Sequence, residues 1–574
     1  MGEALRRLRG ALATTTYPLA VPSAAEARRT TRALITQLDD YLLPRLARLD
    51  APLLVVVGGS TGAGKSTLVN SLVRARVTVP GVLRPTTRAP VLVCHPRDLA
   101  WFRQAELLPG LTRTTRPSDD PRTLQLVSAP ALTPGLAFLD APDIDSVVDA
   151  NRALSAQLLA AADLWLFVTT ATRYADAVPW ELLRTAQLRG TVITVVLNRV
   201  PGPAGEEIAA HLSEMLAAQD LAAAPLFVVP ETEVDGQGLL PEAATTHLRA
   251  WFDRLAADPD VRAGVVRQTL DGALAALHPT VTGLAAAIDE QTDTALILTD
   301  VVEAAYRTAR QTLTQGLRDG RLLRGEVLAR WQEFTGSGEM LRQVQARIGR
   351  RRDRRSKAAT GRPGAAGEQL QTALESQLAT LLRAAAAEAA ETAYAGWQRE
   401  PAGAALLDPE LKEPGPELSE RAERLIRDWQ RGVLELVAAE GGGRRRAARG
   451  AAYAVNATGL TVMVAVFAST AFIPTGLEVA AGAGTAVAGQ KLLEAIFGDR
   501  AIRALAAKAR DDLLARIDAL FAEEADRYLA RLRAVEVRVG LGTALRRAAA
   551  AVENGRRAAA LTARTGLALP GADR

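Results

Sequence analysis

Leu53-Leu-Val-Val-Val57 runs directly into Gly58-Gly-Ser-Thr-Gly-Ala-Gly-Lys-Ser-Thr67, and this stretch decides how the chain is read. The first five residues are an apolar run rich in β-branched side chains, suited to a strand buried on both faces. Gly59-Ser-Thr-Gly-Ala-Gly64-Lys65-Ser66 then fits GxxxxGK[ST], and Ser66–Arg74 continues as a helical pattern. Strand, glycine-rich loop and helix in that order make a phosphate cradle. Glycines let backbone N–H groups converge on phosphate oxygens, and the helix N-terminus adds a favourable dipole. In this reading Gly59, Ser60, Thr61, Gly62, Ala63, Gly64, Lys65, Ser66 and Thr67 line a nucleotide's phosphates. Lys65 reaches the β- and γ-phosphates, and the Ser66 hydroxyl holds Mg²⁺.

Working outward, further apolar runs occur at Val91–Cys94, Leu124–Val127, Leu136–Leu139, Leu164–Thr169, Val192–Leu197 and Leu226–Val229. Helical stretches at Ala150–Ala162, Trp180–Leu188 and Glu206–Ala218 separate the later ones. This alternation predicts an α/β P-loop domain over 51–257 with a mostly parallel sheet. Asp140 ends the run Leu136-Ala-Phe-Leu139, the place in the sheet order for a second Mg²⁺-side group. Thr86 and Thr87, 21 and 22 residues after Lys65, lie between Pro85 and Pro90. A threonine there can close over the γ-phosphate and the metal and be released on hydrolysis, which makes Thr86 and Thr87 both catalytic and metal candidates. Upstream, Leu34, Leu38, Leu42 and Leu46 recur every fourth position. They predict a helix over about Ala24–Leu49, and residues 1–50 are expected to pack as a leading helix on a stalk.

Beyond about Asp260 the strand signal stops and Ala, Leu, Arg, Glu and Gln dominate. Long helices are expected near Arg262–Leu277, Thr280–Leu317, Gly325–Ile348, Glu368–Arg399, Glu417–Ala439 and Arg500–Glu536, with a tail that frays after about Val552. The expected order of parts is an all-α stalk over 258–445, an apolar hairpin over 446–498, and a return helix and tail over 499–574. A basic run, Arg350-Arg-Arg-Asp-Arg-Arg-Ser-Lys357, falls in a loop spanning 350–367. It suits anionic lipid headgroups or a solvated loop about equally, and lacks the interleaved aromatic platform of an RNA-binding surface.

From Ala451 to Gln490 the single carboxylate is Glu478, and there is no Lys or Arg. Ala451–Ile473 is about 23 residues, or roughly 34 Å as a helix, enough to reach across a hydrocarbon core. Pro474-Thr-Gly476 supplies a turn, and a weaker second leg runs towards Phe497. Arg444, Arg445, Arg446 and Arg449 flank the first leg, and Lys491, Arg500 and Arg503 come after the second. Positive flanks on both sides favour a hairpin that returns to the side it left, with Val464, Val466, Phe467, Phe472 and Ile473 in lipid. A single crossing and a pair of helices buried in a soluble bundle stay open as alternatives.

Composition sets outer limits. The 574 residues are 48% hydrophobic and 23% charged, which excludes global disorder. A net charge of +5 is too small for a chain that binds nucleic acid over its whole surface. One cysteine, Cys94, excludes a disulfide framework and any multi-cysteine zinc site. The four histidines are scattered without metal-ligand spacing. The first residues carry no long apolar run, so the expected location is the cytoplasm, against the inner face of the cell membrane.

Gly58-Gly-Ser-Thr-Gly-Ala-Gly-Lys-Ser-Thr67, Arg84-Pro-Thr-Thr-Arg-Ala-Pro90 and Asp140-Ala-Pro-Asp143 together resemble the GTPase domain of the bacterial dynamin-like proteins, of actinobacterial type. The order of parts is similar over most of the chain. The resemblance implies GTP binding by Gly59–Thr67, metal contact by Ser66 and Asp140, a switch threonine at Thr87, and membrane remodelling, often by self-association or with a paired dynamin-like GTPase. Three departures stand out. The family's third motif has Gly where this chain has Asp143. Its guanine-reading motif has Asn or Thr, Lys, any residue and Asp where this chain reads Asn198-Arg199-Val200-Pro201, leaving Asn198 as the base contact. Its catalytic Gln–Ser pair aligns with Thr61 and Gly62, which makes Thr61 the catalytic candidate in the loop. The first functional expectation is a GTPase, its rate low, coupled to membrane binding. The rivals are a nucleotide-gated membrane scaffold acting with a partner GTPase, and a soluble ribosome- or RNA-associated GTPase.

Overall fold

The computed structural model describes residues 1–78, 89–104, 107–143, 149–202, 205–319, 322, 326–327, 329–330, 365–443, 464–465 and 499–566. The chain divides into two compact units. One comprises Met1–Tyr17, Pro22–Glu290 and Arg538–Arg574, the other Pro18–Val21 and Gln291–Val537.

In the first unit three helices precede the sheet: α1 (Gly2–Ala13), α2 (Ala24–Gln37) and α3 (Leu43–Ala47), the last two joined by a π-helical turn at Leu38–Leu42. The sheet has eight strands: β1 (Leu53–Gly59), β2 (Val91–Cys94), β3 (Thr112–Thr114), β4 (Thr123–Ser128), β5 (Leu136–Asp140), β6 (Leu164–Thr170), β7 (Val192–Val200) and β8 (Leu226–Pro230). Among them lie α4 (Lys65–Val73), α5 (Leu99–Arg103), α6 (Asp149–Ala160), α7 (Ala177–Leu188), α8 (Gly205–Ala217) and, after β8, α9 (Glu242–Ala257). The strands form one sheet in the order β3-β4-β2-β5-β1-β6-β7-β8, and every pairing is parallel except β2 against β5. The class is therefore the expected α/β one. Every residue of β1 and of β6 is buried, which is why both read as unbroken apolar runs. β1 lies between β5 and β6, so the chain leaves it in one direction for β5 and in the other for β6. That switch in strand order opens a crevice at the C-terminal strand ends, where open α/β sheets bind ligands.

Several elements differ from the sequence reading. The helix expected over Ala24–Leu49 is broken into α2, a π turn and α3, all of which belong to the first unit. Arg45 of α3 is tied to Asp163 at the start of β6 by a hydrogen bond of 2.8 Å from Nε. Asp40 is 5% exposed, unlike most carboxylates, and accepts a 2.6 Å hydrogen bond from Gln157. Burial raises its carboxyl above the ordinary range. β3 is a Thr-Arg-Thr edge strand with no apolar signal. The two helices expected on either side of Pro279 are one, α10 (Pro259–Arg318). Leu277 and Val281, flanking the proline, are buried at 2% and 0%, and packing on this scale offsets one missing backbone hydrogen bond.

The remaining helices are α11 (Ala365–Arg399), α12 (Pro401–Ala404), α13 (Leu418–Gly443), α14 (Asp499–Ala534) and α15 (Leu541–Gly566). The tail expected to fray after Val552 is helical to Gly566 and lies in the first unit, where Leu545, Ala549 and Val552 are buried along with Leu5, Leu8 and Leu12 of α1. The second unit is built from α11 to α14 and the part of α10 beyond Glu290. Its core is anchored by aromatic side chains that also satisfy backbone carbonyls. Trp397 Nε1 donates to Leu298 O, Trp429 Nε1 to Ala509 O and the Tyr528 hydroxyl to Ala390 O, each at 2.8 Å. The rings of Trp397 and Tyr528 meet edge to face at 5.4 Å. Within the same unit Gln291 brackets Leu19, accepting from its N–H at 2.7 Å and donating to its carbonyl at 3.1 Å.

Candidate nucleotide-binding site

β1 delivers the loop to the crevice. Its last residue, Gly59, has φ +155°, and a Cβ there would stand 2.0 Å from the Val168 carbonyl of β6. Only glycine allows that approach. The loop Ser60–Gly64 then turns, and α4 starts at Lys65 with Gly64 in the left-handed region at φ +89°. The unpaired N–H groups of the first helical turn are thereby aimed back over the loop.

Lys65 is buried at 5% exposure, and its ammonium donates to Gly59 O at 3.0 Å and Ser60 O at 3.2 Å. It also forms an ion pair with Asp143 at 2.5 Å. Ser66 donates from Oγ to Asp140 Oδ2 at 2.7 Å. Ser66 is the second residue of α4 and Asp140 the last of β5, so the register that sets Val57 against Asp140 brings a hydroxyl and a carboxylate together across 74 residues of sequence. Desolvation lifts the Asp140 carboxyl above its ordinary range. Asp143 pushes the same way, while the Ser66 hydroxyl, the Lys65 charge and the Thr78 hydroxyl oppose it. A cation placed against Asp140 would favour its charged form.

Asn198, at the end of β7, is 4% exposed and donates from Nδ2 to Ala63 O at 2.8 Å. It acts here as a brace under the phosphate loop. Arg199 is next, in the left-handed conformation at φ +54°, where the pairing of β7 with β8 shifts register between Leu197 and Val200. Arg173, in the turn after β6, donates to Thr61 O at 2.8 Å and pairs with Asp176 at 2.8 Å. The sequence reading missed it, because an arginine in a turn carries no periodic or motif signal. Asn70 was also missed. It is 1% exposed, accepts from Val77 N and Thr78 N at 2.9 Å each and donates to Thr78 O at 2.8 Å, fixing the chain where it leaves α4. Thr86 and Thr87 lie outside the described residues, as do the basic loop 350–367 apart from its last three residues and, among the lipid-facing candidates, Val466, Phe467, Phe472 and Ile473. Val464 is described and is 2% exposed. Among the described residues no helix is long and apolar enough to cross a membrane.

The residues present fit a nucleoside phosphate with a divalent metal. The Ser60 Oγ is buried without a hydrogen-bond partner in the loop that would face the phosphates. A Cβ at Gly64 would meet Asn198 Nδ2 at 2.5 Å, so the cradle is open only because glycine stands there. A serine hydroxyl and an aspartate carboxylate are the hard oxygen donors that Mg²⁺ takes alongside phosphate oxygens.

No protein-family model matches the chain. A stretch of 158 residues is 28% identical to the probable transmembrane GTPase FZO-like, chloroplastic, of Arabidopsis thaliana, covering 28% of this chain and 16% of that protein. The chain thus matches only about a sixth of the length of that relative. Among solved structures, two of an oligomerised bacterial dynamin pair, described as providing a mechanism for long-range sensing and tethering of membranes, are similar. One has TM-score 0.43 and 9% identity over 96% of this chain and 94% of that one. The other has TM-score 0.44 and 11% identity over 94% and 96%. The LeoA bacterial dynamin GTPase from ETEC is similar at TM-score 0.21 and 13% identity over 98% and 95%.

Proposed function

We propose that the chain is a dynamin-like GTPase, which binds GTP with Mg²⁺ on Gly59–Thr67, hydrolyses it, and couples the cycle to binding or remodelling of a membrane at its cytoplasmic face. The observation that carries this reading is the meeting of Lys65, Ser66 and Asp140 at the C-terminal ends of β1 and β5, with Ser66 Oγ 2.7 Å from Asp140. Lys65 offers its charge to the β- and γ-phosphates, and the loop N–H groups hold the inner phosphate oxygens. Ser66 and Asp140 would hold the metal, whose charge would offset that of the phosphates. Thr87 closes over the terminal phosphate from the segment that starts at Thr78. Arg173 and Asn198 hold the loop carbonyls of Thr61 and Ala63, so the backbone keeps its shape while the ligand changes. Asn198 is also the proposed contact to the guanine base.

The membrane part of the proposal rests on the apolar stretch of 446–498, with Val464, Val466, Phe467, Phe472 and Ile473 entering anionic lipid and the arginines of 350–367 adding headgroup contacts. Self-association, or pairing with a second dynamin-like GTPase, belongs to the same proposal. The test is phosphate release from GTP beside ATP on the purified chain, with and without anionic vesicles, and with Lys65→Ala as control. GTP turnover that vesicles stimulate and Lys65→Ala abolishes is expected. Turnover indifferent to Lys65→Ala would refute the site.

A second reading, a nucleotide-gated membrane scaffold with little turnover, is favoured by one contact. The ammonium that a triphosphate needs is already held by Asp143 at 2.5 Å. Brisk, vesicle-stimulated turnover excludes it.

A further inference from the structure

The Lys65 ammonium has three N–H donors and, among the described residues, three acceptors: Gly59 O at 3.0 Å, Ser60 O at 3.2 Å and Asp143 Oδ1 at 2.5 Å. Its donors are fully used. Two of the acceptors are carbonyls of the loop itself and cannot leave without unfolding it. The third is a side chain from the loop after β5, and it alone carries charge. Lys65 is 6% exposed at its side chain and Asp143 37%, so the replaceable partner is also the one open to water. An anion that reaches Lys65 must therefore take the place of the Asp143 carboxylate.

The direction of approach sets which phosphate meets that carboxylate. The inner phosphate oxygens face the loop N–H groups and the start of α4. Asp143 comes from the loop after β5, three residues after Asp140, on the side where Ser66 and Asp140 would hold a metal. Displaced from Lys65, its charge remains beside the terminal phosphate, and like charges in a half-buried crevice repel. A diphosphate leaves that position vacant and avoids most of the repulsion.

We propose that Asp143 determines which nucleotide state the site prefers: its carboxylate stands on Lys65 in the place of the terminal phosphate, and the chain holds the diphosphate over the triphosphate. The inference rests on the reading of the crevice as a GTP site and specifies its selectivity. The chain is then a slow-loading member of its kind, in which triphosphate binding must first open an internal ion pair.

Equilibrium binding of fluorescent GDP and of a fluorescent non-hydrolysable GTP analogue, both with Mg²⁺, tests this on the full chain and on Asp143→Asn, Asp143→Glu and Lys65→Ala. Asp143→Asn is expected to tighten the triphosphate analogue about tenfold and GDP less than about threefold, and Asp143→Glu to keep the parent's ratio. If Asp143→Asn leaves the ratio of the two affinities unchanged, the proposal is overturned. If it weakens the triphosphate analogue, Asp143 is a holder of the metal and the proposal is overturned as well. The Lys65→Ala arm separates this from the underlying reading. Loss of both nucleotides there, with no effect of Asp143→Asn, leaves the GTP site standing and removes the selectivity claim alone. Undiminished binding by Lys65→Ala removes both.

Discussion

Replacing Asp163 by alanine should undo the junction of α3, β1 and β6 while touching nothing in the nucleotide crevice. Asp163 is 0% exposed and accepts from the Tyr41 hydroxyl at 3.1 Å, from Arg45 Nε at 2.8 Å and from Leu54 N at 2.7 Å. Arg45 is 3% exposed, and its remaining N–H groups donate to Ala51 O at 3.1 Å and Pro52 O at 3.0 Å. Burial already pushes the Arg45 guanidinium down to about 10. Without Asp163 that cation keeps its desolvation penalty and loses its counter-charge, and two further donors are stranded. Removing one partner of a buried ion pair costs about 3–5 kcal/mol. Against a typical total of about 5–15 kcal/mol this is a large fraction. The assay is thermal and urea unfolding, where a fall in Tm on the order of 10 °C is expected. The double variant Arg45→Met with Asp163→Leu fills the same space with apolar groups and should recover most of the loss. A cost below about 1 kcal/mol for Asp163→Ala, or a double variant no better than the single, would refute the argument.

Four further outcomes are expected. Gly64→Ala forces a Cβ to within 2.5 Å of Asn198 Nδ2 at a φ of +89°, so nucleotide affinity should fall at least about tenfold with the circular dichroism spectrum unchanged; full affinity would show that the loop is not the cradle. Asp140→Asn should raise the Mg²⁺ concentration needed to hold a fluorescent nucleotide, and an unchanged Mg²⁺ titration would remove Asp140 from the metal site. Arg556 and Arg557 pull the Glu553 carboxyl from an ordinary 4.5 to about 2, so the folded state binds fewer protons than the unfolded one in that interval. Its contribution is complete above about 4.5 and disappears as pH falls through about 2, and Glu553→Gln should flatten that part of the acid-unfolding curve; a superimposable curve would contradict it. Phe467→Asp with Phe472→Asp should abolish flotation on anionic vesicles, and unaltered flotation would dismiss the hairpin.

The phosphate loop was legible because every part of its signal is local. A buried strand must be apolar, a tight turn needs glycine, and a helix must start where the glycines end, so Leu53–Thr67 declares all three in fifteen consecutive residues. Asp140 was legible one step further out, since a charged residue closing an apolar strand marks a strand end. Asp143 was visible as a departure from the family motif, but its contact with Lys65 was not, because nothing in the spacing of residues 65 and 143 says that their side chains meet. Asn198 was read as a base contact; its hydrogen bond to Ala63 was not legible, because it depends on β7 ending beside the loop. Asp163, between a helical stretch and a strand, and Asp40, in a helical stretch, carry no local mark of burial, and the partners brought in by α3, β1 and α6 make it tolerable.

The sequence by itself determined the class of the first unit, the position of the glycine-rich loop between β1 and α4 and the helical character of the described residues beyond Asp260, all set by hydrophobic period and glycine spacing over ten to twenty residues. Only the tertiary structure decided the strand order with its antiparallel β2, the return of α15 to α1 in the first unit, and the partners of the buried charges. These depend on which distant surfaces can share one dry interior. An isolated aspartate or arginine has the same local appearance whether it meets water or, as with Lys65 and Asp143, an opposite charge far along the chain.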